Sequence, residues 1–450
     1  MPLTRDIIDE TLSTPRGKRA YAIVERLTDA GHEAWWVGGC VREMLQGVVP
    51  VDIDITTSAK PDEVRALFKR STGEGSAFGS ARVLQGDDTF EVTTFRMDDD
   101  ASDGRHPESI VFGTRDQDAL RRDFTVNAIY WQPVTHQLFD PTKGEDDLQE
   151  RLVRFIGEPA IRLKHDALRL LRAVRLRAAI DGQYHPDTYA ALREHANLVE
   201  ILSGARQGDE LEKLLKAPRP QRAMEDLWEL GILARFLPEL HECKGVPQPA
   251  DYHREGDVWD HTLRCLSAIR PEDTQDVRLA ILFHDSGKVK TFSLKERIRF
   301  DHHATVSAEI AERALERLQI SGDRRRKICW LISHHMSMSF TDLSEERKAH
   351  WYFHPWFAEL LQMFRLDIDG TDPPEYDLYD SIVTDYQRFL DAHPRPQKPL
   401  LSGDDVMTIL GVPPGERVGR ILHELHTRQR NGSITTKKEA RAYLESLKKS

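Results

Sequence analysis

Residues 35–58, WWVGGCVREMLQGVVPVDIDITTS, decide how the N-terminal part of the chain folds. An apolar run ends at two glycines, a short helical pattern follows, and VDIDITT then alternates apolar and acidic residues. As a strand, VDIDITT would place its apolar residues, Val51 included, on one face and Asp52 and Asp54 on the other. Carboxylates this close together repel each other and raise each other's pKa values unless a cation lies between them. The pattern therefore indicates a divalent metal site.

The composition sets broad limits on fold and location. The chain has 450 residues, of which 39% are hydrophobic and 30% charged, which is typical of a soluble globular protein. This length favours about two to four domains. We find no signal-peptide pattern and no apolar run of ~18–20 residues, so we expect a cytoplasmic protein with no membrane partner. The four cysteines lie far apart, which favours reduced packing residues over disulfides or a zinc ribbon.

Charge is distributed unevenly. The net charge of −11 argues against a protein that coats nucleic acid with its whole surface. Residues 151–180, however, carry eight Lys or Arg against two acidic residues. We expect a phosphate backbone or a triphosphate to lie along this segment.

Hydrophobic periodicity divides the chain into two parts. Residues 17–30 predict a helix, HEAWWVGG a strand, VREML and SAKPDEVRALF helices, and ARVLQGDDTFEVTTFR a hairpin around Gly86-Asp87. Residues 20–135 are therefore expected to form a small mixed α/β unit. From about residue 140 onward, apolar residues recur at intervals of three and four, which predicts helices.

The glycine turn and the acidic pair suit one kind of chemistry. A Gly-Gly turn after a strand brings backbone N–H groups close to an anion, and Arg42 can reach a phosphate. Asp52 and Asp54 can bind Mg²⁺ that carries a triphosphate. Each motif alone is usually a turn or a solvated strand face. Together, in this order on a strand–turn–helix–strand frame, they predict a nucleotide site.

These motifs resemble a known family. GGCVREMLQGVVPVDIDITTSAKP resembles the signature of the class II tRNA nucleotidyltransferase and bacterial poly(A) polymerase superfamily. Further resemblances follow in the family's order: TTFRMDDDASDGRHP its flexible loop, LRRDFTVNAIY its ribose-reading segment, LFDPTKGEDDL the turn into the neck, HDALRLLRAVR its base-selecting helix, SGARQGDELEKLL the last neck motif and SGDDVMTILGVPPGERVGRIL its tail. The resemblance implies an α/β head of polymerase-β nucleotidyltransferase fold, followed by an all-α neck, body, HD domain and tail, α+β overall.

The resemblance also implies site residues. Asp52 and Asp54 are implied as catalytic ligands of Mg²⁺. The implied nucleotide-binding residues are Gly38, Gly39, Arg42, Arg121, Arg122, Asp123, Asn127, Asp166, Arg169 and Arg172. Asp166 and Arg169, three residues apart and therefore expected on one helix face, would hydrogen-bond the base edge of the incoming nucleotide. This chain has His165 where the family usually has a glutamate that helps to position the arginine.

The residues alone leave simpler alternatives open. Glu91, on the strand expected beside the acidic pair, is either a third carboxylate of the site or an exposed strand residue. Asp123 could serve only as a helix cap or turn former. Arg172, Arg175 and Arg177 could only solvate a helix face.

A second set of motifs lies in the helical part. VWDHTLRCL, LAILFHDSGKVK, RFDHHATVSAEIA, LISHHMSM and FRLDIDG resemble the HD superfamily of metal-dependent phosphohydrolases. The implied ligands of a divalent metal, a transition metal or Mg²⁺, are His261, His284, Asp285 and Asp367. His303 and His335 are candidates for a second metal or for phosphate contact. Lys288 is either a phosphate ligand or an exposed loop lysine.

The predicted organisation is a nucleotidyltransferase head at 1–140, a helical neck and body at 141–240 that selects the nucleotide, an HD domain at 241–375 and a tRNA-binding helical tail at 376–450. The predicted activity is addition or repair of the 3′-terminal CCA of tRNA from CTP and ATP, with release of pyrophosphate. Some nucleotidyltransferases of this superfamily carry such an HD domain, and in them it resembles a phosphodiesterase or phosphatase that acts on damaged tRNA ends. The alternatives are a CC- or A-adding specialist, a poly(A) polymerase, an HD phosphohydrolase with an RNA-binding head, and a noncatalytic RNA chaperone.

Overall fold

A computed structural model describes residues 3–72, 79–97, 111–249, 253–294, 296–393, 400–430 and 433–448. The chain forms two compact units, Met1–His335 with Leu366–Pro374 and Met336–Arg365 with Glu375–Ser450. Most of the expected flexible loop, from residue 98 to residue 107, lies outside the described residues.

The strands lie mainly in the N-terminal third. They are β1 (Ala34–Val37), β2 (Asp54–Thr57), β3 (Ser71–Thr72), β4 (Ser80–Gln85), β5 (Asp88–Thr94), β6 (Arg96–Met97), β7 (Val111–Phe112), β8 (Tyr130–Gln132), β9 (Gln137–Phe139), β10 (Leu152–Val153), β11 (Gln183–Tyr184), β12 (Phe292–Leu294) and β13 (Ile298–Phe300). Among the described residues, seven of them form one mixed sheet in the order β3-β4-β5-β2-β1-β8-β9. The predicted hairpin is confirmed, because β4 and β5 pair antiparallel around Gly86.

The helices of the head flank this sheet. They are α1 (Arg5–Ser13), α2 (Pro15–Asp29), α3 (Gly39–Leu45), α4 (Pro61–Leu67) and α5 (Arg115–Arg121), followed by a 3₁₀ turn at Thr125–Asn127. The Thr14 hydroxyl caps α2 by accepting from Gly17 N, and a proline occupies the first turn of α2. The two buried indoles of Trp36 and Trp131 meet edge to face, with centroids 5.1 Å apart.

Helices make up most of the remainder, which confirms the predicted α+β class. In the first unit they begin with α6 (Gly144–Gln149), α7 (Pro159–His165), α8 (Arg169–Ile180), α9 (Pro186–Glu194), α10 (Gly204–Lys216), α11 (Pro220–Glu229), α12 (Leu233–Phe236) and α13 (Pro238–His241), with a 3₁₀ segment at Ala196–Ile201. They continue as α14 (Val258–Ser267), α15 (Gln275–Phe283), α16 (Lys288–Thr291), α17 (His303–Arg317) and α18 (Gly322–His334).

The last helices of the chain are α19 (Glu345–Tyr352), α20 (Phe357–Gly370), α21 (Asp377–Ala392), α22 (Gly403–Leu410), α23 (Glu416–Arg430) and α24 (Lys437–Leu447). Within the second unit, α22, α23 and α24 bury a hydrophobic cluster of their own, which includes Val406, Leu425 and Leu444. No helix in the described part of the chain is long and apolar enough to cross a membrane.

The strand predicted over VDIDITT is shorter than expected. β2 begins only at Asp54, so Asp52 precedes the strand and Val51 is 85% exposed instead of buried on an apolar face. The reason lies in its partner, because β1 ends opposite Asp54 at Val37, and Gly38, at φ 78°, then turns the chain into α3. Without a partner strand, the residues before Asp54 have no ladder to join.

The prediction that one neck helix carries both Asp166 and Arg169 is also wrong. α7 ends at His165, Asp166 is extended at φ −147°, and α8 begins at Arg169. The Asp166 carboxylate accepts a hydrogen bond from Leu168 N at 3.2 Å. Aspartate side chains that bond nearby backbone N–H groups compete with helix continuation, which explains the break.

Candidate active site and metal cluster

A cavity of about 480 Å³ lies where β2 and β5 of the head face the neck helices. Its lining residues are Val37, Asp54, Ile55, Thr56, Glu91, Thr93, Arg96, Arg121, Arg122, Asp123, Asp166, Arg169 and Arg172. Most of the predicted nucleotide-binding residues are therefore brought together with Asp54, which precedes Arg172 by more than 100 positions. Because five of the lining side chains are guanidinium groups, the cavity suits a multiply charged anion such as a triphosphate.

The acidic side of the cavity is built on β2 and β5. These strands are parallel, with Ile55 opposite Val92, so Asp54 and Glu91 lie side by side and both line the cavity. Burial, followed by the negative charges of Asp52 and Glu91, raises the pKa of Asp54. Glu91 is thus exposed on β5 and also lines the cavity beside Asp54, and its role as a third carboxylate of the site stays a prediction.

Asp52 has a different neighbour. Its Oδ1 lies 2.5 Å from Arg16 Nη2, and Asp52 is not among the cavity-lining residues. Asp52, Asp54 and Glu91 are negatively charged and repel one another, but together they supply the carboxylate oxygens that Mg²⁺ prefers as ligands. The residues present therefore fit a divalent cation, provided that Asp52 turns from Arg16 toward Asp54. Arg16 carries no motif that could have identified it from the sequence.

Gly38 and Gly39 form the turn between β1 and α3. A side chain at Gly38 would place its Cβ 3.8 Å from Asp54 Oδ2 and 3.9 Å from Arg122 Nη1. The positive φ of Gly38 favours glycine, and its bare Cα leaves this corner of the site open to a ligand.

Asp118 is a fully buried carboxylate that sequence reasoning missed. It accepts hydrogen bonds from Arg121 Nε at 2.9 Å, Arg122 Nη2 at 3.1 Å and the Tyr130 hydroxyl at 2.7 Å. Burial alone would raise the pKa of Asp118, but Arg122 and Arg121 hold it below its usual range. Asp118 therefore stays ionised and fixes both arginines. The sequence signal for this contact was the spacing of three and four residues from Asp118 to Arg121 and Arg122, which places the three side chains on one face at the end of α5.

A second network joins four of the predicted residues. Asn127 accepts from Arg42 and donates to Asp123 Oδ1 at 3.1 Å. Arg172 Nε donates to Asp123 Oδ2 at 2.8 Å. Arg42 and Asn127 do not line the cavity themselves, but they reach it through Asp123. Asp123 is therefore more than a cap or turn former.

The alternative that the neck arginines only solvate a helix face is wrong. Besides the Arg172 pair, Arg175 Nε lies 2.5 Å from Glu210 Oε1, and Arg177 pairs with the buried Asp226. Each arginine thus has a carboxylate partner on another element or, for Arg172, in the head.

Asp166 and Arg169 share the cavity although they do not share a helix. Asp166 Oδ1 lies 2.7 Å from Arg206 Nη2 on α10, and Arg169 Nη1 donates to Arg162 O at 2.8 Å. His165, at the position of the usual glutamate, is exposed. Arg206, 40 positions along the chain, is a partner that the sequence did not identify.

A buried group of histidines and carboxylates is formed by His261 on α14, His284 at the end of α15 and Asp367 on α20. His261 Nε2 is 3.0 Å from Asp367 Oδ1 and 3.3 Å from His284 Nε2, and His284 Nε2 is 3.5 Å from Asp367 Oδ1. A tetrahedral metal with bonds of about 2.0–2.1 Å separates its donor atoms by about 3.4 Å. Three of the four predicted HD ligands therefore already have the spacing of a coordination site.

Asp285 completes this group and extends it. Its Oδ2 is 3.3 Å from His284 Nε2, and its Oδ1 is 3.4 Å from His303 Nε2. The carboxylate is 2% exposed, and its Oδ1 also lies 3.9 Å from His335 Nε2. A buried carboxylate oxygen that faces imidazole nitrogens belongs to a donor set that suits a metal cation. Lys288 Nζ, 2.6 Å from Oδ2, is itself buried, so the exposed-loop interpretation of Lys288 is wrong.

Backbone carbonyls orient these imidazoles. Nδ1 of His284, His303 and His335 lies 2.7, 2.9 and 2.7 Å from the carbonyl oxygens of Ile281, Phe300 and Ile332, respectively. These contacts direct each Nε2 into the cluster in the tautomer that binds metals. Burial lowers the pKa of His335 to about 4, which favours its neutral form.

Glu255 is a further residue that the sequence did not reveal. Its buried Oε1 lies 3.0 Å from Nδ1 of His261 and 2.7 Å from Nδ1 of His253. A carboxylate that holds Nδ1–H leaves Nε2 of the same ring free to ligate.

The mixed sheet with its glycine turn and arginine-lined cavity, together with the HD-type cluster, defines a nucleotidyltransferase with a helical HD domain. Family models match the "Poly A polymerase head domain" at residues 34–154, the "Probable RNA and SrmB- binding site of polymerase A" at 183–244 and the "HD domain" at 257–385. The predicted family and enzyme class are thereby confirmed.

Full-length relatives make the assignment more particular. The CC-adding tRNA nucleotidyltransferase of Thermus thermophilus is 33% identical over 92% of this chain and 93% of its own, and the A-adding tRNA nucleotidyltransferase of Deinococcus radiodurans is 31% identical over 91% and 94%. The crystal structure of the Bacillus stearothermophilus CCA-adding enzyme in complex with CTP is 27% identical, covers 97% of this chain and 98% of its own, and has a TM-score of 0.62. The chain belongs to the tRNA nucleotidyltransferase family.

Proposed function

We propose that this enzyme transfers nucleotides from CTP and ATP to the 3′ end of tRNA, building or repairing the terminal CCA and releasing pyrophosphate. The observation that carries the proposal is the cavity that joins Asp54 and Glu91 of the head to Asp166 and Arg169 of the neck, with the arginines between them. The similarity to a CC-adding and an A-adding tRNA nucleotidyltransferase and to a CCA-adding enzyme in complex with CTP supports the same chemistry.

In this mechanism, Asp52, Asp54 and Glu91 are the residues that would hold Mg²⁺. When bound, Mg²⁺ would lower the pKa of the attacking 3′-hydroxyl and neutralise charge on the phosphates. Arg122, fixed by Asp118, and Arg172, fixed by Asp123, are placed to bind phosphate oxygens and stabilise the pyrophosphate that leaves.

Nucleotide choice is assigned to the neck end of the cavity. Asp166 accepts and Arg169 donates, so the pair can hydrogen-bond the base edge of the incoming nucleotide in the way a template base would. Since Arg206 contacts Asp166 and His165 is exposed, Arg206 takes part in the positioning for which the family usually uses a glutamate.

The enzyme recognises the tRNA acceptor arm by its phosphate backbone and its shape. The basic segment 151–180 and the helical tail supply contacts to the phosphates of the tRNA acceptor arm, with little sequence readout. The four-part organisation, with boundaries near 140, 240 and 375, is part of this proposal, as is a cytoplasmic location.

The decisive experiment gives the purified enzyme tRNAs that end before C, after CC and after CCA, with CTP, ATP or both, and reads product length. We expect the first two to be extended to CCA, and Asp54→Ala to reduce incorporation by at least ~10³-fold. His284→Ala, which alters only the HD cluster, is the matched control and should incorporate normally. Failure with CTP would identify an A-adding enzyme, arrest after CC a CC-adding enzyme, and long tails a poly(A) polymerase. No labelling with either nucleotide would leave only a binding role.

The HD cluster supports a second activity. We propose that His261, His284, Asp285 and Asp367 bind a divalent transition metal, with His303 and His335 placed for a second ion or a phosphate, and that the domain hydrolyses phosphoesters at tRNA ends. The test follows ring opening of a 2′,3′-cyclic phosphate on the tRNA end to a phosphomonoester, and release of inorganic phosphate from a tRNA that ends in a 3′-phosphate. His284→Ala should abolish it while Asp54→Ala should not, and loss in Asp54→Ala instead would assign the activity to the head.

A further inference from the structure

We infer that Cys265 is an additional ligand of the HD metal, and that its sulfur makes this centre select thiophilic ions such as Zn²⁺ and Co²⁺ over Mg²⁺ and Mn²⁺. This inference rests on the metal site proposed above. Cys265 was predicted from the sequence to be only a packing residue, and its position in the fold gives it a chemical role.

The thiol lies inside the ligand group. Cys265 follows His261 by one turn of α14, so the two side chains share a helix face. Its Sγ is 3.4 Å from His261 Nε2, the nitrogen opposite the one that contacts Glu255. One donor atom from each of Cys265, His261, His284 and Asp367 lies within 4.8 Å of all the others.

Gly370 makes room for this sulfur. A Cβ at Gly370 would lie 2.2 Å from Cys265 Sγ, so only glycine allows α20 to approach so closely. Asp367 stands one turn earlier on the same helix. The sulfur is therefore held between His261 and the helix that carries Asp367.

One hydrogen bond at His261 Nε2 cannot serve all of its neighbours. His261 Nε2 faces Asp367 Oδ1, His284 Nε2 and Cys265 Sγ at 3.0, 3.3 and 3.4 Å, respectively. One ring nitrogen either donates one proton or accepts with one lone pair, so it serves only one of these partners well. A cation at the centre would be bound by all four donors at once.

Asp285 adds a further buried donor beside this group. It is 2% exposed, and its Oδ2, which pairs with Lys288 at 2.6 Å, also lies 3.3 Å from His284 Nε2. Its Oδ1 lies 3.4 Å from His303 Nε2. Carboxylate and imidazole alone would accept Mg²⁺, Mn²⁺ or a later transition metal, whereas a thiolate shifts the preference to softer ions. When the metal enters, the Sγ–H bond is broken, its proton passes to solvent, the Sγ–metal bond replaces a metal–water bond, and no electron is transferred.

The test uses the full-length protein, stripped with a chelator and titrated with Co²⁺. The wild type should develop the near-ultraviolet charge-transfer absorption of a cobalt–thiolate bond, and Cys265→Ser should lose it. Cys243→Ser removes another buried cysteine, whose sulfur donates to Glu239 O instead, and should keep the absorption. Zn²⁺ affinity should fall by at least ~10-fold in Cys265→Ser, with Mn²⁺ affinity unchanged.

X-ray absorption on the Zn²⁺-loaded wild type answers the same question without a variant that could unfold. It should show a sulfur neighbour at about 2.3 Å. Absence of that neighbour, or persistence of the thiolate absorption in Cys265→Ser, would overturn the assignment of Cys265. If the wild type and His284→Ala bind the same amount of Co²⁺, the HD metal site itself is wrong and this inference fails with it. Nucleotidyl transfer should be unaffected in every case, so the result does not depend on the proposed activity of the head.

Discussion

The arginine-lined cavity and the HD cluster are both rich in charge, but they are organised in opposite ways. In the cavity, each key guanidinium is held by a buried carboxylate and keeps part of its surface open, with Arg122 20% and Arg172 40% exposed. In the cluster, His261 and His284 are fully buried and their ring nitrogens face other donors instead of solvent.

This difference shows what each site is built to receive. Partly exposed arginines with fixed partners can bind a large anion that enters and leaves with every turnover. A closed shell of imidazole, carboxylate and sulfur donors suits a small cation that stays. The first site should therefore respond most to changes in the carboxylates behind its arginines, and the second to changes that reorient its donors.

Among the residues that support the two sites, the largest effect is expected when the carboxylate behind the head arginines is neutralised. Asp118→Asn leaves Arg121 and Arg122 without their shared buried anion, and removing one partner of such a pair costs roughly 3–5 kcal/mol of unfolding free energy. Both guanidiniums should shift, and a shift of about 1 Å near the chemistry costs ~10²-fold. We expect kcat/KM for CTP and ATP to fall by that amount, measured with tRNA in excess.

Tyr130→Phe is the matched control for this variant. It removes the hydroxyl that donates to Asp118 Oδ2 and accepts from Arg122 Nε at 2.9 Å, but it keeps the buried anion that holds both arginines. Stability should fall by about 1 kcal/mol, with kcat/KM changed far less than in Asp118→Asn. If Asp118→Asn loses stability and its kcat/KM stays at the wild-type value, Asp118 supports the fold and does not position the phosphate-binding arginines.

Local sequence patterns predicted the groups of each site that lie close together along the chain. The glycine turn before α3 and the adjacent His284 and Asp285 are examples, because one turn or one helix end fixes them. Asp166 was placed wrongly because its own carboxylate breaks the helix that periodicity extended through it.

The supporting residues could not be predicted in the same way. Arg206 reaches Asp166 from 40 positions away, and Glu255 connects His253 and His261 through a loop whose path depends on tertiary packing. Neither contact leaves a period or a fixed spacing in the sequence. The groups that would touch substrate or metal were thus more visible than the groups that hold them in place.

A smaller effect is expected from Glu255→Gln in the HD cluster. The amide cannot hold His261 Nδ1–H with a full negative charge, so the His261 ring should reorient and donate less strongly to a metal. Loss of such an outer partner typically costs 10–100-fold in metal affinity, or about 1.4–2.7 kcal/mol. Competition with a chromophoric chelator measures this loss, and nucleotidyl transfer provides a readout that should not change.

Glu242→Gln offers the control for Glu255, since it removes a carboxylate from the same region of the chain without a contact to His261. Its metal affinity should equal that of the wild type. Equal losses in the two variants would mean that net charge, and not the orientation of His261, governs binding.

The smallest effect is expected at the neck end of the cavity, where the Arg206–Asp166 pair is partly exposed. Such pairs contribute about 0.2–1 kcal/mol, so Arg206→Gln should change the ratio of kcat/KM for CTP and ATP by at most about fivefold. Arg235→Gln removes a comparably exposed neck pair, with Glu200, and should leave the ratio unchanged. If kcat/KM falls equally for CTP and ATP in Arg206→Gln, Arg206 only stabilises the neck. A change in the ratio alone would make it a positioning residue for nucleotide choice, because only the orientation of Asp166 distinguishes the two bases.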